Sequence, residues 1–565
     1  EWLRLCLLKL RQGRNTLAEC LVWWRTVSLI LDVLGRLLAR LKGTGMSLLL
    51  PELGQECPGY AAAGICRIFK GERMANRGSV MEFPSFYMDH LAGGRLIIGL
   101  IASLHVLINH PLAVGAYPLL TWMEWWAHKN NRPDIDRLAY RITFIVFIVT
   151  TTVGAMTGVG IWLSTSLFAP FAIGSLLRVF FWGWFAEWLV FISEVALICW
   201  WFLSWKKADT PEKKKKHIKI GVALSVMSWL TMALIVAVLG FMMKPGEWNQ
   251  TRAFLDAMTN PLYAPQLGFR TFFALMTAAV FIWFAAFFFT KTTTLGDDRP
   301  RRLRRWIVYR MSHVVLVSLL GVFLFGTWYW NCIPETMKAN SSVALLTQEF
   351  MSWHGQFQSL LGWTIIAFVI IGIGGLSDTF TLPRWALLVP SFMGIWLLGH
   401  FERAREFMRK PWVIGEYMYS NGVHKDELAF LQSEGLLKHA TYVKHREVTD
   451  ANKIECGKDV FMLACSRCHS TTGLNSVLDK FTAMYGGDKP WDAAGMTLFI
   501  KGMHQTRTFM PPFPGNDKEA EALVAYILQL REKPETLHGA QTEGITFAPE
   551  HKAKPAITAQ TNSTR

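Results

Sequence analysis

Residues 180–207 read FFWGWFAEWLVFISEVALICWWFLSWKK. A helix needs about 20 consecutive, mostly apolar residues to cross a bilayer, and this run supplies them. It closes on Trp200, Trp201 and Trp205 followed by Lys206 and Lys207, an aromatic and basic anchor of the kind found at a membrane interface. Inside it stand Glu187 and Glu194, two helical turns apart and therefore on one face. Carboxylates within a span are rare and mark functional sites by default. The stretch thus sets an expectation of a membrane-embedded helix that does chemistry.

Seven further apolar runs of membrane length lie at about 96–126, 142–164, 218–242, 269–290, 306–330, 356–375 and 384–400. The chain of 565 residues is 52% hydrophobic and only 18% charged, with a mean hydropathy of +0.24. Soluble domains carry about 25% charged residues. The expected class is all-α: a polytopic helical membrane bundle of about eight spans, with one small all-α domain attached. The net charge of +16 would point to nucleic acid in a soluble protein. Here its clearest concentrations are Lys206-Lys207 with KKKKHIK (213–219), and Arg299 with RRLRR (301–305). These fall in alternate connections, which places them in the cytoplasm and everything after the eighth span outside. No nucleic-acid partner is expected.

Residues 1–80 do not fit this pattern. They hold 12 basic against 6 acidic residues and four of the nine Cys, and their apolar run around 21–38 is broken by Arg25, Asp32 and Arg36. They read as upstream DNA translated in frame, with the start at Met74 or Met81, or alternatively as a basic targeting segment. N-terminal sequencing distinguishes the two. The remaining expected boundaries are a membrane domain at 81–412, a linker with short helices at 413–450, a compact unit at 451–535 and a disordered tail at 536–565.

The compact unit contains Cys465-Ser466-Arg467-Cys468-His469. Two thiols at this spacing can add to the two vinyl groups of a haem, and the adjacent His then reaches the iron. A redox dithiol or half a zinc site leaves that His unexplained, and Cys468 is the last Cys of the chain. Met510, on the rigid stretch Phe509-Met510-Pro511-Pro512-Phe513, is the expected sixth ligand, with His504 and Met503 as competitors. CxxCH, a Met-Pro loop and a closing helix (Lys518–Leu530) resemble a class I cytochrome c domain. The resemblance implies covalent haem c, attached on the outer side of a bacterial inner membrane. Cys456 reads as a buried or free thiol.

Further ionisable groups lie within the spans: His105 and His110 in the first, His313 in the sixth, His354 and His400 at outer ends, and Glu402 with Glu406 just beyond. A lone His is more often a satisfied core residue than a ligand, but most of these gather in the outer half, near the haem c unit. From about residue 90 to 420 the chain resembles subunit I of the cytochrome bd oxidase family. IASLHVLINHPLAVG (101–115) is similar to that family's first span, which implies a haem ligand at His105, with His110 left open. GAMTG (154–158) and FAEWLVFISE (185–194) resemble its second and third spans, implying a haem-associated role for Glu187 and a proton route for Glu194. MMKPGEW (242–248) and Asn260-Pro261 resemble an outer loop. EFMRKPWVIGE (406–416) is the closest match and implies a haem ligand at Glu406.

The chain also departs from that family. Where the family's fifth span carries a haem-ligating His, this one has Arg270 and Thr271. His354 stands near the place of a Met ligand and is a candidate substitute. A Trp one turn before the ligand Glu is replaced by Glu402. The quinol-binding loop shrinks to about 331–352. The resemblance implies haem b or haem d in the membrane, a second membrane subunit, and a respiratory oxidoreductase that exchanges electrons with a periplasmic cytochrome c or similar carrier and reduces a small acceptor such as oxygen. The alternative is a quinol-to-cytochrome c conduit without acceptor chemistry.

Overall fold

The computed structural model describes residues 86–290, 299–341, 343, 354–376, 388–440, 442–539 and 546–547. Contacts divide the chain into 1–75 and 76–565. The first unit, and the expected starts at Met74 and Met81, lie outside the described residues.

Helices α1 (Arg95–Lys129) and α2 (Pro133–Phe168) lead into a short α3 (Pro170–Val179). Then come α4 (Phe181–Lys207), α5 (Pro211–Met243), α6 (Tyr263–Phe289) and α7 (Arg299–Cys332). All except α3 belong to the six segments long and apolar enough to cross a membrane. Two more helices stand at the expected seventh and eighth positions, α8 (His354–Leu376) and α9 (Leu388–Met408). The described apolar part of α8 is Gly362–Leu376, and α9 ends in a charged turn, so both fall short of the other six. Leu120, Met123, Ile142, Trp201 and Trp283 are wholly buried in the bundle core. Met156, Val159, Phe181, Trp188 and Phe323 face outward and are exposed. An apolar surface of this extent requires lipid or another subunit to cover it. At Pro111 the missing N–H breaks the α ladder, and α1 passes through a π-helical turn at His110–Gly115.

The basic run KKKKHIK is not a loop. It forms the opening turns of α5, capped by the Thr210 side chain with Pro211 in the first turn. Lys214 and His217 turn inward and are buried.

The expected linker at 413–450 packs as part of the soluble domain. It carries α10 (Leu428–Glu434) and α11 (Leu436–His439), and its Leu431, Leu436, Leu437 and Val443 share one core with α12 (Lys453–Ala464), α13 (Val477–Tyr485), α14 (Ala493–Thr506) and α15 (Asp517–Glu532). The buried Glu519 carboxylate explains the join. It accepts from the backbone N–H groups of Leu436 (2.8 Å) and Leu437 (2.7 Å), at the start of α11, and closes the capping box of α15 with Asn516. The expected tail boundary shifts as well. Leu537 is buried, β3 (His538–Gly539) pairs with β1 (Tyr87–Met88), and β4 (Thr546–Phe547) pairs with β2 (Tyr442–Val443). Residues 86–90 therefore belong with the soluble domain through β1, rather than with the membrane domain as expected.

Candidate functional site

Helix α12 delivers the CxxCH turn. Cys465 N donates to Phe461 O at 2.9 Å, and Cys468 N and His469 N both donate to Cys465 O at 3.0 Å. Both thiols are free. His469 places Nδ1 3.0 Å from the carbonyl of Asn475, and Asn475 donates back to Cys468 O at 2.6 Å. A carbonyl on Nδ1 fixes the tautomer that leaves Nε2 as a metal ligand. Burial holds the His469 imidazole down to about 4, so it is neutral, as ligation requires. Burial, with Cys468 adding to it, pushes the Cys465 thiol up to about 12. Burial also raises the Cys468 thiol, but Lys410 and then Arg95 outweigh it and hold it below the ordinary thiol range. Among the sixth-ligand candidates, Met503 is packed in the core, while His504 places Nδ1 2.6 Å from the backbone carbonyl of Met510. Met510 lies at the core edge with its loop held by that contact. Two free thiols, an oriented neutral imidazole and a held Met loop fit a covalently attached haem. Cys456 is buried and free, as expected.

In the membrane bundle, His105 places Nδ1 3.0 Å from Thr157 Oγ1 and 2.9 Å from Asn109 Nδ2. The glycines of GAMTG allow this approach: a Cβ at Gly158 would lie 3.2 Å from the His105 ring, and one at Gly154 2.7 Å from Asn109. His110 faces Arg270 instead, with Nε2 at 3.1 Å from the guanidinium. Arg270 also donates to Glu402 at 2.7 Å, and Arg405 donates to the second oxygen of Glu402 at 3.1 Å. The two departures from the bd pattern, Arg270 and Glu402, are thus one ion pair. Glu406 pairs with Arg409 and lies 4.0 Å from Arg95. Helix α9 packs on α1, which puts Glu406 and His105 on neighbouring helices. Glu187 is half-buried on α4, and Glu194 is buried and accepts from Thr231 Oγ1 at 3.0 Å. No hydrogen bond or ion pair links His105, Glu187, Glu194 and Glu406 to one another among the described residues. The side chains of His354 and His400 lie outside the description. His313 is exposed on α7, with Nδ1 2.9 Å from the Tyr309 carbonyl.

Several functional candidates were missed from sequence. Near the ends of α1, α4 and α5 that carry the basic run, Glu124 is wholly buried. His217 Nδ1 approaches it at 2.5 Å, Lys214 Nζ at 2.8 Å, and Trp201 Nε1 at 3.2 Å. Lys214 also reaches Asp136 at 2.7 Å, and His217 Nε2 lies 2.7 Å from Trp201 O. Thr121, one turn from Glu124, has a buried hydroxyl without a partner among the described residues. Glu124 was detectable as a carboxylate inside the first apolar run. Tyr87 and Arg95, which touch the CxxCH segment, and Asp89, which holds Thr471 and Thr472 just after it, give no local signal.

The molecule is a multi-pass helical membrane protein with a cytochrome c-type domain. Residues 452–527 match the family model for cytochrome c oxidase, cbb3-type, subunit III. The membrane region is similar in structure to the bd oxidase from Geobacillus thermodenitrificans, with 15% sequence identity and a TM-score of 0.48, over 58% of this chain and 89% of that one. No curated protein matches the chain.

Proposed function

We propose that this protein is a respiratory haem oxidoreductase of a bacterial inner membrane. Its periplasmic cytochrome c domain takes electrons from a soluble carrier, and its bd-like membrane domain passes them to a small acceptor such as oxygen. The observation that carries this reading is the seating of the CxxCH turn against the helix ends that bear Arg95 and Glu406. Haem c, held by Cys465, Cys468, His469 and Met510, supplies one-electron exchange when bound. In this reading His105 and Glu406, on the neighbouring helices α1 and α9, hold haem of the b or d type in the membrane. His110 is turned to Arg270, which favours His105 of the two. Glu124, His217 and Lys214 form an intake for protons, and Thr121 leads from it toward Glu194. A buried unpaired hydroxyl calls for a bridging water, which a proton route uses. A second subunit covers part of the outward apolar surface.

Reduced-minus-oxidised spectra with pyridine haemochrome analysis, followed by CO addition, test the assignment. Both covalent and non-covalent haem are expected, with a CO-binding high-spin centre. His105→Ala and Glu406→Ala should each lose membrane haem while keeping haem c. Haem c alone in the wild type would refute the membrane assignment, and the absence of a CO signal would refute acceptor reduction.

A further inference from the structure

The Cys468 side of the haem c motif is closed by the chain itself. Ser466 is 3% exposed. Gly93, with φ +66°, comes so close that a Cβ there would lie 2.1 Å from the Ser466 carbonyl oxygen. Arg467 lies over the Phe171 ring of α3 at 4.5 Å. Phe407 of α9 packs on Phe509, beside Met510, with ring centres 5.5 Å apart. A soluble partner cannot reach this edge without displacing these contacts.

Arg95, the first residue of α1, spans the gap behind it. One guanidinium nitrogen donates to Cys468 Sγ at 3.5 Å, and the other lies 4.0 Å from Glu406 Oε1. The sulfur here stands for the thioether of the attached haem. The strap before α1 fixes Arg95 in place: Tyr87 OH donates to His469 O at 3.1 Å, and Asp89 is tied to Thr471 and Thr472. Arg409 is buried nearby and pairs with the same carboxylate, Glu406. Two guanidinium groups, Arg95 and Arg409, therefore face the one Glu406 carboxylate. In a partly dry setting, charges a few ångströms apart act on one another strongly.

We propose that Arg95 is a positioning residue that couples the haem c site electrostatically to the Glu406 site, so that a change of charge at either is felt at the other. The covalent haem c reading supplies the readout, and the coupling does not depend on which group Glu406 holds.

The test uses the full-length, haem-loaded protein in detergent. Oxidised haem carries one more positive charge than reduced haem, so a nearby cation favours reduction. Arg95→Gln should lower the haem c midpoint potential, reducing the reduced-to-oxidised ratio at a fixed potential by roughly tenfold, or about 59 mV for one electron. Arg95→Lys keeps the charge and should recover most of that shift. Glu406→Gln should raise the potential, and by a different amount in the R95Q background, because a cycle of coupled residues is not additive. An unchanged potential in R95Q, or strict additivity in the double variant, overturns the proposal. If R95Q fails to accumulate haem c, the absence of a rise in E406Q overturns it instead. Haemochrome analysis of the same samples separates this outcome from failure of the membrane-haem reading. Loss of that reading would show as missing non-covalent haem in the wild type, while the haem c titration still reports on Arg95.

Discussion

Asp89 shows how one residue holds the haem c motif in place. It is wholly buried and accepts five hydrogen bonds: from Tyr87 OH (2.7 Å), Thr471 N (2.6 Å), Thr471 Oγ1 (2.6 Å), Thr472 N (3.0 Å) and Thr472 Oγ1 (2.8 Å). Burial works against the carboxylate, but Thr471 and the other donors outweigh it and hold it below its ordinary range. A carboxylate depressed in the folded state stabilises above the unfolded value and loses that contribution as pH falls through the folded value. Asp89→Ala leaves several buried donors unmet and should cost about 2–4 kcal/mol. Thermal unfolding of the domain, followed by its haem absorbance at neutral pH, measures this. A midpoint equal to wild type would show that the strap is dispensable. The difference between variant and wild type should narrow on acidification.

Among the elements, hydropathy made the long helices legible, because each must present apolar side chains to lipid along its length. Which polar residues meet inside the bundle was not legible, since such contacts join positions far apart in the chain, 52 residues for His105 and Thr157 and 132 for Arg270 and Glu402. Arg270 and Glu402 could each be seen from the sequence as a departure from the bd pattern. Only the fold shows that the fifth long helix and α9 bring them to 2.7 Å. Likewise KKKKHIK read as a loop because its charge dominates locally, whereas the cap at Thr210 draws it into α5 and turns two of its members inward. The linker reading of 413–450 failed for a related reason. A short polar-looking segment gives no sign that a distant carboxylate, Glu519, will cap it. A buried charge that loses its partner is costly, so Arg270→Gln and Glu402→Gln should each destabilise by about 3 kcal/mol, and the double variant by less than the sum. Thermal denaturation in detergent gives the comparison. Additive losses would mean that the pair is not one unit.

Across the whole molecule, the two clusters of ionisable groups lie at opposite ends of α1. Arg95 begins that helix beside the haem c motif, and Glu124 lies in its last turns beside His217 and Lys214. Electrons handled at one end and protons admitted at the other would make the reaction electrogenic without a separate pump. The seam between α1, α4 and α5 carries the polar side chains this requires, because Thr121 and Glu124 share one face of α1, and Glu194 and Trp201 share one face of α4. Ile198 and Leu224 are buried in the bundle core, so water between the hydroxyls is needed to complete a route. Glu194→Gln should therefore slow acceptor reduction by about tenfold or more while leaving every haem in place, a scale typical of removing a proton-transfer group. Glu124→Gln should do the same, and in reconstituted vesicles both should diminish proton uptake from the side of the basic run. If Glu124→Gln keeps full turnover and full uptake, then the cluster is a structural ion pair, and protons reach Glu194 along another face.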